Sequence, residues 1–148
     1  MKELTFVIDW AIHDELKDYL MSLNGISNVI INNDKYLKIN IKYDSNLISG
    51  KIIEMELFLF LDVTKTPSII SFNKHFKGKL ETYIIDKNSI CCEYCLKGAI
   101  EDLFEIEGIE KVETNFGQKD NNTIINIGYN PKLISIDKMK EIEIELNI

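Results

Sequence analysis

The sequence predicts an α+β fold made of two tandem β-α-β-β-α-β units, and three observations lead there. Short alternating apolar runs of strand length flank single runs whose apolar residues recur every three or four positions. The series of runs in residues 1–62 returns in residues 79–148. Between the two, residues 63–78 follow neither series and read as a linker.

In the first unit, Leu4, Phe6 and Ile8 alternate with Thr5, Val7 and Asp9 as a short strand. Trp10–His13 makes a brief connection. A helix is expected from about Asp14 to Asn24, with Ile12, Leu16, Leu20 and Leu23 on one face and Gly25 as its stop. Ile26–Ile31 and Tyr36–Tyr43 form a hairpin across the turn residues Asn32, Asn33 and Asp34. Ser45–Ile53 suits a second helix. Met55, Leu57, Leu59 and Leu61 then alternate with Glu54, Glu56, Phe58 and Phe60 as a fourth strand. This order is the ferredoxin-like one, a four-stranded antiparallel sheet with two helices on one face. In the linker, Thr66-Pro67 and Gly78 bracket a candidate helix, Pro67–Lys77, with Ile69, Phe72 and Phe76 on one side; an extended linker is the alternative.

The second unit repeats the landmarks. Val7-Ile8-Asp9 returns as Ile84-Ile85-Asp86, and Asn24-Gly25-Ile26 as Glu107-Gly108-Ile109, at offsets of 77 and 83 residues. Tyr43-Asp44 returns as Tyr129-Asn130 and Glu54-Met55-Glu56-Leu57 as Glu141-Ile142-Glu143-Ile144, at offsets of 86 and 87. The jump from 77 to 83 is six extra residues before the helix, and that extra length falls in the cysteine stretch Ser89–Cys95. A repeat of about seventy residues implies two domains of one fold.

That insertion holds every cysteine of the chain: Cys91, Cys92 and Cys95. A Cys-x-x-Cys at a helix start puts both sulfurs on one side of the first turn. The helix dipole and unpaired N–H groups favour the thiolate there. Clustered cysteines in a cytosolic chain point to metal or redox chemistry rather than a disulfide framework. Cys95, Ala99, Leu103 and Ile106 share one helical face, so a small buried residue is the plain alternative for Cys95. That alternative leaves Cys91 and Cys92 without a role.

The second half resembles the heavy-metal-associated domain family, the small modules of copper chaperones and of metal-pumping P-type ATPases. Cys92-Glu93-Tyr94-Cys95 supplies the thiol pair, Gly108-Ile109 the Gly-Val that follows the helix, Val112 and Asn115 the next strand, and Tyr129-Asn130-Pro131 the later Tyr-Asp-Pro. The resemblance spans Lys79–Ile148, while Lys2–Asp62 resembles a degenerate, cysteine-free copy. Ser89-Ile90 replaces the family's Gly-Met, Cys91 replaces Thr, Ser or His, and the last strand is short. The resemblance implies a metal site of Cys92 and Cys95; Cys91, which departs from the family's pattern, reads equally as a third metal ligand or as a bystander. It implies Cu(I) as the metal, with Zn(II) or Cd(II) as the alternatives, and metal transfer rather than catalysis. It also implies a metal-transporting P-type ATPase or another cysteine-bearing acceptor as partner.

Two other classes compete. A thiol–disulfide protein also places Cys-x-x-Cys at a strand-to-helix junction, but Glu93-Tyr94 lacks the usual Gly-Pro, and neither Pro67 nor Pro131 is placed to face the pair. A metal-independent interaction module would leave the thiols incidental. His13, His75, Lys138 and Lys140 are weighed as auxiliary groups and read as surface residues; Glu54, Glu56, Glu141, Glu143 and Glu145 read as a solvated sheet face. A net charge of −7 argues against nucleic acid or anionic lipid as partner. The absence of a spanning or signal-like apolar run makes the cytosol the expected location.

Overall fold

The computed structural model describes residues 1–8, 15–33, 37–61, 68–87, 93–115 and 122–146. The fold is mixed α/β, with seven strands and four helices among these residues. It divides into two compact units, Met1–Ile69 and Ile70–Ile148.

The first unit runs β1 (Lys2–Ile8), α1 (Leu16–Met21), β2 (Ile26–Asn33), β3 (Leu37–Tyr43) and α2 (Gly50–Leu61). Its strands lie in the order β2-β3-β1, and both pairings are antiparallel. Strand β3 alternates strictly, burying Leu37, Ile39, Ile41 and Tyr43, because one face of the pleat meets the core and the other does not. Leu16 and Leu20, one turn apart on α1, bury onto that face. The two helices lie side by side: Tyr19 stacks on Phe60 with ring centroids 4.6 Å apart, and its hydroxyl donates to the Glu56 carboxylate.

The second unit contains β5 (Glu81–Lys87), α3 (Glu93–Glu105), β6 (Ile109–Thr114), β7 (Thr123–Tyr129) and α4 (Ile136–Leu146). Strand β4 (Ser68–Asn73) begins where the first unit ends and pairs with β6 through Phe72↔Val112 and Asn73↔Lys111. The order in this unit is β4-β6-β7-β5. Ile100, Leu103, Ile109, Val112, Ile125 and Ile127 are wholly buried and form the heart of its core.

Three sequence expectations are corrected. Met55–Leu61, expected as a strand, is the second half of α2. Glu141–Ile144, expected as the matching strand, lies inside α4. Both errors begin from a short alternation of acidic and apolar residues, Glu54–Leu57 in α2 and Glu141–Ile144 in α4, while the buried positions, Ile53 and Leu57 in α2 and Met139 and Ile142 in α4, keep helical spacing. The candidate linker helix is also overturned over Ser68–Asn73, which is strand β4; Ile69 and Phe72 are buried there, and Ile70 with them, a cluster the helical spacing did not include. Helix α1 is shorter than expected, and Trp10–Asp14 lies outside the described residues. No helix among the described residues is long and apolar enough to cross a membrane.

Candidate metal centre

Strand β5 ends at Lys87 and helix α3 begins at Glu93, so the cysteines fall at a strand-to-helix junction. Cys95 is the third residue of α3. Cys91 and Cys92 lie outside the described residues, and so does the arrangement of the three side chains.

What the structure does describe is how α3 is held. Leu96, Ala99, Ile100 and Leu103 are buried, anchoring the helix from its first turn onward. At its far end, the Lys74 ammonium donates to the Phe104 carbonyl at 3.0 Å and sits 5.2 Å from the Phe104 ring centroid. Phe72 meets Phe104 edge-on, with centroids 5.1 Å apart. A cation on the last carbonyls satisfies the negative end of the helix dipole. Sequence reasoning missed Lys74, because the stretch around it read as a linker. The opposite, positive end of the thirteen-residue helix is the one that carries Cys95.

The other landmarks hold the backbone rather than a ligand. Gly108 has φ +99°, and a Cβ there would come within 2.9 Å of the Ile134 side chain. The Asn130 N–H donates to the Gly108 carbonyl at 2.8 Å, while its side-chain oxygen accepts the Lys132 N–H at 3.0 Å. Gly108-Ile109 and Tyr129-Asn130-Pro131 are therefore one hydrogen-bonded corner. The same corner stands in the first unit: Gly25 has φ +105°, and the Asp44 N–H donates to its carbonyl at 2.8 Å. Val112 is buried in β6. Asn115 closes the β6–β7 hairpin, its oxygen accepting the Ile124 N–H at 2.9 Å and its amide donating to the Asn122 carbonyl at 2.7 Å.

The auxiliary candidates fall elsewhere. Glu54, Glu56, Glu141, Glu143 and Glu145 stand on helices α2 and α4, not on a sheet face. Glu143 accepts from the Tyr83 hydroxyl at 2.8 Å and lies 3.7 Å from the Lys87 ammonium. The hydrogen bond to Glu143, with burial and that carboxylate's charge, raises the Tyr83 phenol above its usual range; Tyr19 is raised in the same way by Glu56. Burial pushes Tyr43 up to about 12. Lys138 lies early in α4, exposed and 3.5 Å from Glu141, and Lys140 is exposed beside it. His75 is exposed at φ +52°, its N–H donating to the Asn73 side chain at 2.8 Å, and His13 lies outside the described residues. Lys97, two residues past Cys95, is only 5% exposed, which no periodicity announced.

Among the described residues no group of three or more His, Cys, Asp and Glu side chains is placed to hold a metal. A hollow of about 240 Å³ on the second unit's sheet is lined by Leu80, Thr82, Lys111, Glu113, Asn126 and Gly128, and its two charged groups, Lys111 and Glu113, pair with each other at 3.2 Å.

No family model matches the chain. No curated protein matches it either. Among solved structures it is similar to the N-terminal soluble domains of Bacillus subtilis CopA in solution, with 16% identity and a TM-score of 0.40 over 99% of this chain and 90% of that one. A second structure, the water-soluble region of the P-type ATPase CopA from Bacillus subtilis, gives 16% identity and a TM-score of 0.37 over 99% and 88%. Likenesses this loose carry no functional argument.

Proposed function

We propose that the chain binds a soft, thiophilic metal ion through Cys92 and Cys95 and passes it to a cysteine-bearing acceptor. The observation that carries this reading is the place of Cys95 as the third residue of α3, with Cys91 and Cys92 in the short stretch of sequence between β5 and that helix. A three-residue step at a helix start brings two side chains to one side, and the dipole favours their deprotonated form. The landmarks Gly108, Asn115 and Asn130 support the family resemblance because each makes the backbone contact that its residue type suits.

Two thiolates suit Cu(I) in near-linear coordination; the third thiol, Cys91, suits three-coordinate Cu(I), or Zn(II) or Cd(II) with a further ligand. A site of so few protein ligands exchanges its cargo readily. An acceptor thiolate enters as Cys92 or Cys95 leaves, so the ion passes through a state shared by both proteins without being released. The acceptor class is a metal-transporting P-type ATPase or another protein with a paired-cysteine loop, in the cytosol. The β-α-β-β-α order of the first unit, which the second repeats after β4 with those strands again in the order second, third, first, fits a tandem pair of ferredoxin-like domains of which the first carries no thiol. No catalytic step is assigned.

Titration of the reduced protein under anaerobic conditions is expected to give about one tightly held Cu(I) per chain, and Cys92→Ser/Cys95→Ser to abolish it. Unchanged stoichiometry in that variant would overturn the proposal. Competition among Cu(I), Zn(II) and Cd(II), in the presence and absence of Cys91→Ser, identifies the metal and the role of the third thiol.

A further inference from the structure

Helix α2 keeps apolar residues where the fold has no use for them. Ile53 and Leu57 face inward and are wholly buried, while Ile52, Met55, Phe58 and Leu59 are between 37% and 62% exposed. At about 3.6 residues a turn, the order round the outer half of the helix is Glu54, Phe58, Met55, Leu59, Ile52, Glu56. The four apolar side chains therefore make one stripe about 120° wide, with a glutamate along each margin. Both glutamates are partly exposed, and Glu56 accepts from the Tyr19 hydroxyl. Single exposed apolar side chains are ordinary, but a contiguous stripe marks a contact surface. Helix α4 is the internal control. Its inward residues Met139 and Ile142 are buried, and its outer side carries Lys138, Glu141 and Glu145, all exposed. The fold accepts a charged outer side on this helix, so the apolar one on α2 answers to something outside the unit.

The margins decide what fits. Two α2 helices packed stripe to stripe about a two-fold axis bring like charges together. In the antiparallel pair the Glu54 margins meet each other and so do the Glu56 margins; in the parallel pair each Glu54 margin meets a Glu56 margin. Carboxylate against carboxylate along both flanks is the pattern that keeps helices apart. Lys51 reaches the opposing Glu54 of an antiparallel pair only in a register that carries Phe58 and Leu59 past the end of the contact. A stripe one helix wide also falls short of the roughly 800 Å² per partner that a standard protein interface buries. A single helix with cations on its flanks meets both conditions.

We propose that the outer face of α2 is a docking site for a basic amphipathic helix of another protein. Its apolar residues at i, i+3 and i+7 lie along Ile52, Met55 and Leu59, and its lysines or arginines meet Glu54 on one side and Glu56 on the other. Met55 and Phe58 suit such a contact, the first by its flexible thioether and the second by its large flat ring. The chain's net charge of −7 draws in the same kind of partner. This contact uses no thiol and requires no metal.

Fluorescence anisotropy of the full chain, in reducing buffer with a chelator, tests this against a labelled peptide of about eighteen residues with leucines on one helical face and lysines on both flanks. Micromolar binding is expected. Met55→Ser/Leu59→Ser, which removes half of the stripe without altering charge, is expected to weaken it at least about tenfold, with an unchanged urea midpoint showing that the variant is folded. Glu54→Gln/Glu56→Gln is expected to weaken it about fivefold and to flatten its dependence on salt. Ile144→Ser, on the exposed side of α4, is expected to leave it unchanged. Absence of binding, binding that Met55→Ser/Leu59→Ser leaves intact, or equal binding of a counterpart peptide with glutamate for every lysine would each overturn the proposal. So would a dimer of the chain, seen in sedimentation, that Met55→Ser/Leu59→Ser dissociates, since the occupant would then be a second copy.

Discussion

In α2 the Ser49 hydroxyl accepts the Ile52 N–H at 3.2 Å, and in α4 the Ser135 hydroxyl accepts the Lys138 N–H at 3.1 Å. These starts stand 86 residues apart and allow the helices to be compared position by position. On the inward side they agree, Ile53 corresponding to Met139 and both being wholly buried. On the outward side they part. Where α4 has Lys138, Glu141 and Glu145, α2 has Ile52, Met55 and Leu59, and Leu59 is 62% exposed. The fold requires an apolar stripe on one side of this helix and leaves the other side to the sequence. Helix α4 uses it for an ion pair, Lys138 with Glu141 at 3.5 Å, and α2 leaves it apolar.

The comparison can be tested from the inside outward. Leu57→Ala, at a wholly buried position of α2, is expected to cost about 2–5 kcal/mol in urea unfolding, because it removes buried surface and leaves a cavity. Matching losses for Ile53→Ala in α2 and Met139→Ala in α4, the corresponding buried positions, would show that the inner faces are equivalent; a loss confined to one would break the comparison. Gly25→Ala and Gly108→Ala come next. Each forces a left-handed φ on a residue with a Cβ and drives that carbon against Ile48 or Ile134, so about 1–3 kcal/mol is expected from each. Unequal penalties, read from the same unfolding curves, would mean that the two corners yield differently. The smallest effect is expected from giving α2 the surface of α4: Ile52→Lys/Met55→Glu/Leu59→Glu should change stability by no more than about 0.5 kcal/mol while raising solubility. A large loss from that triple change would show that the outer face of α2 carries structural load.

The same difference accounts for what the sequence disclosed. Strand β3 was legible because one of its faces is buried, so Leu37, Ile39, Ile41 and Tyr43 alternate with polar residues. Helix α3 was legible because Ala99 and Leu103 recur at four-residue spacing against a charged outer face. Helix α2 was not, because apolar residues on both sides erase the helical period and leave an accidental alternation from Met55 to Leu61. In α4 the alternation came from Ile142, which is buried, and Ile144, which is 78% exposed. Strand β4 was hidden for the reverse reason: buried on consecutive residues, Ile69 and Ile70, it shows no period of two. At the site, the sequence disclosed the helix start at which Cys95 stands. It did not disclose Lys74 on the far carbonyls of that helix, since a contact between residues thirty positions apart leaves no local pattern.

The pairing of β5 with β7 also has a cost in time. Ile85 meets Ile125, forty residues later in the chain. At ribosomal speed that gap lasts about two to eight seconds, during which Tyr83, Ile84 and Ile85 have been made and their partner strand has not. Glu81 on one side of that apolar run, with Asp86 and Lys87 on the other, are the kind of flanking charges that keep such a segment from associating wrongly while it waits. A nascent chain is thereby protected by the same residues that stand at the ends of the finished strand.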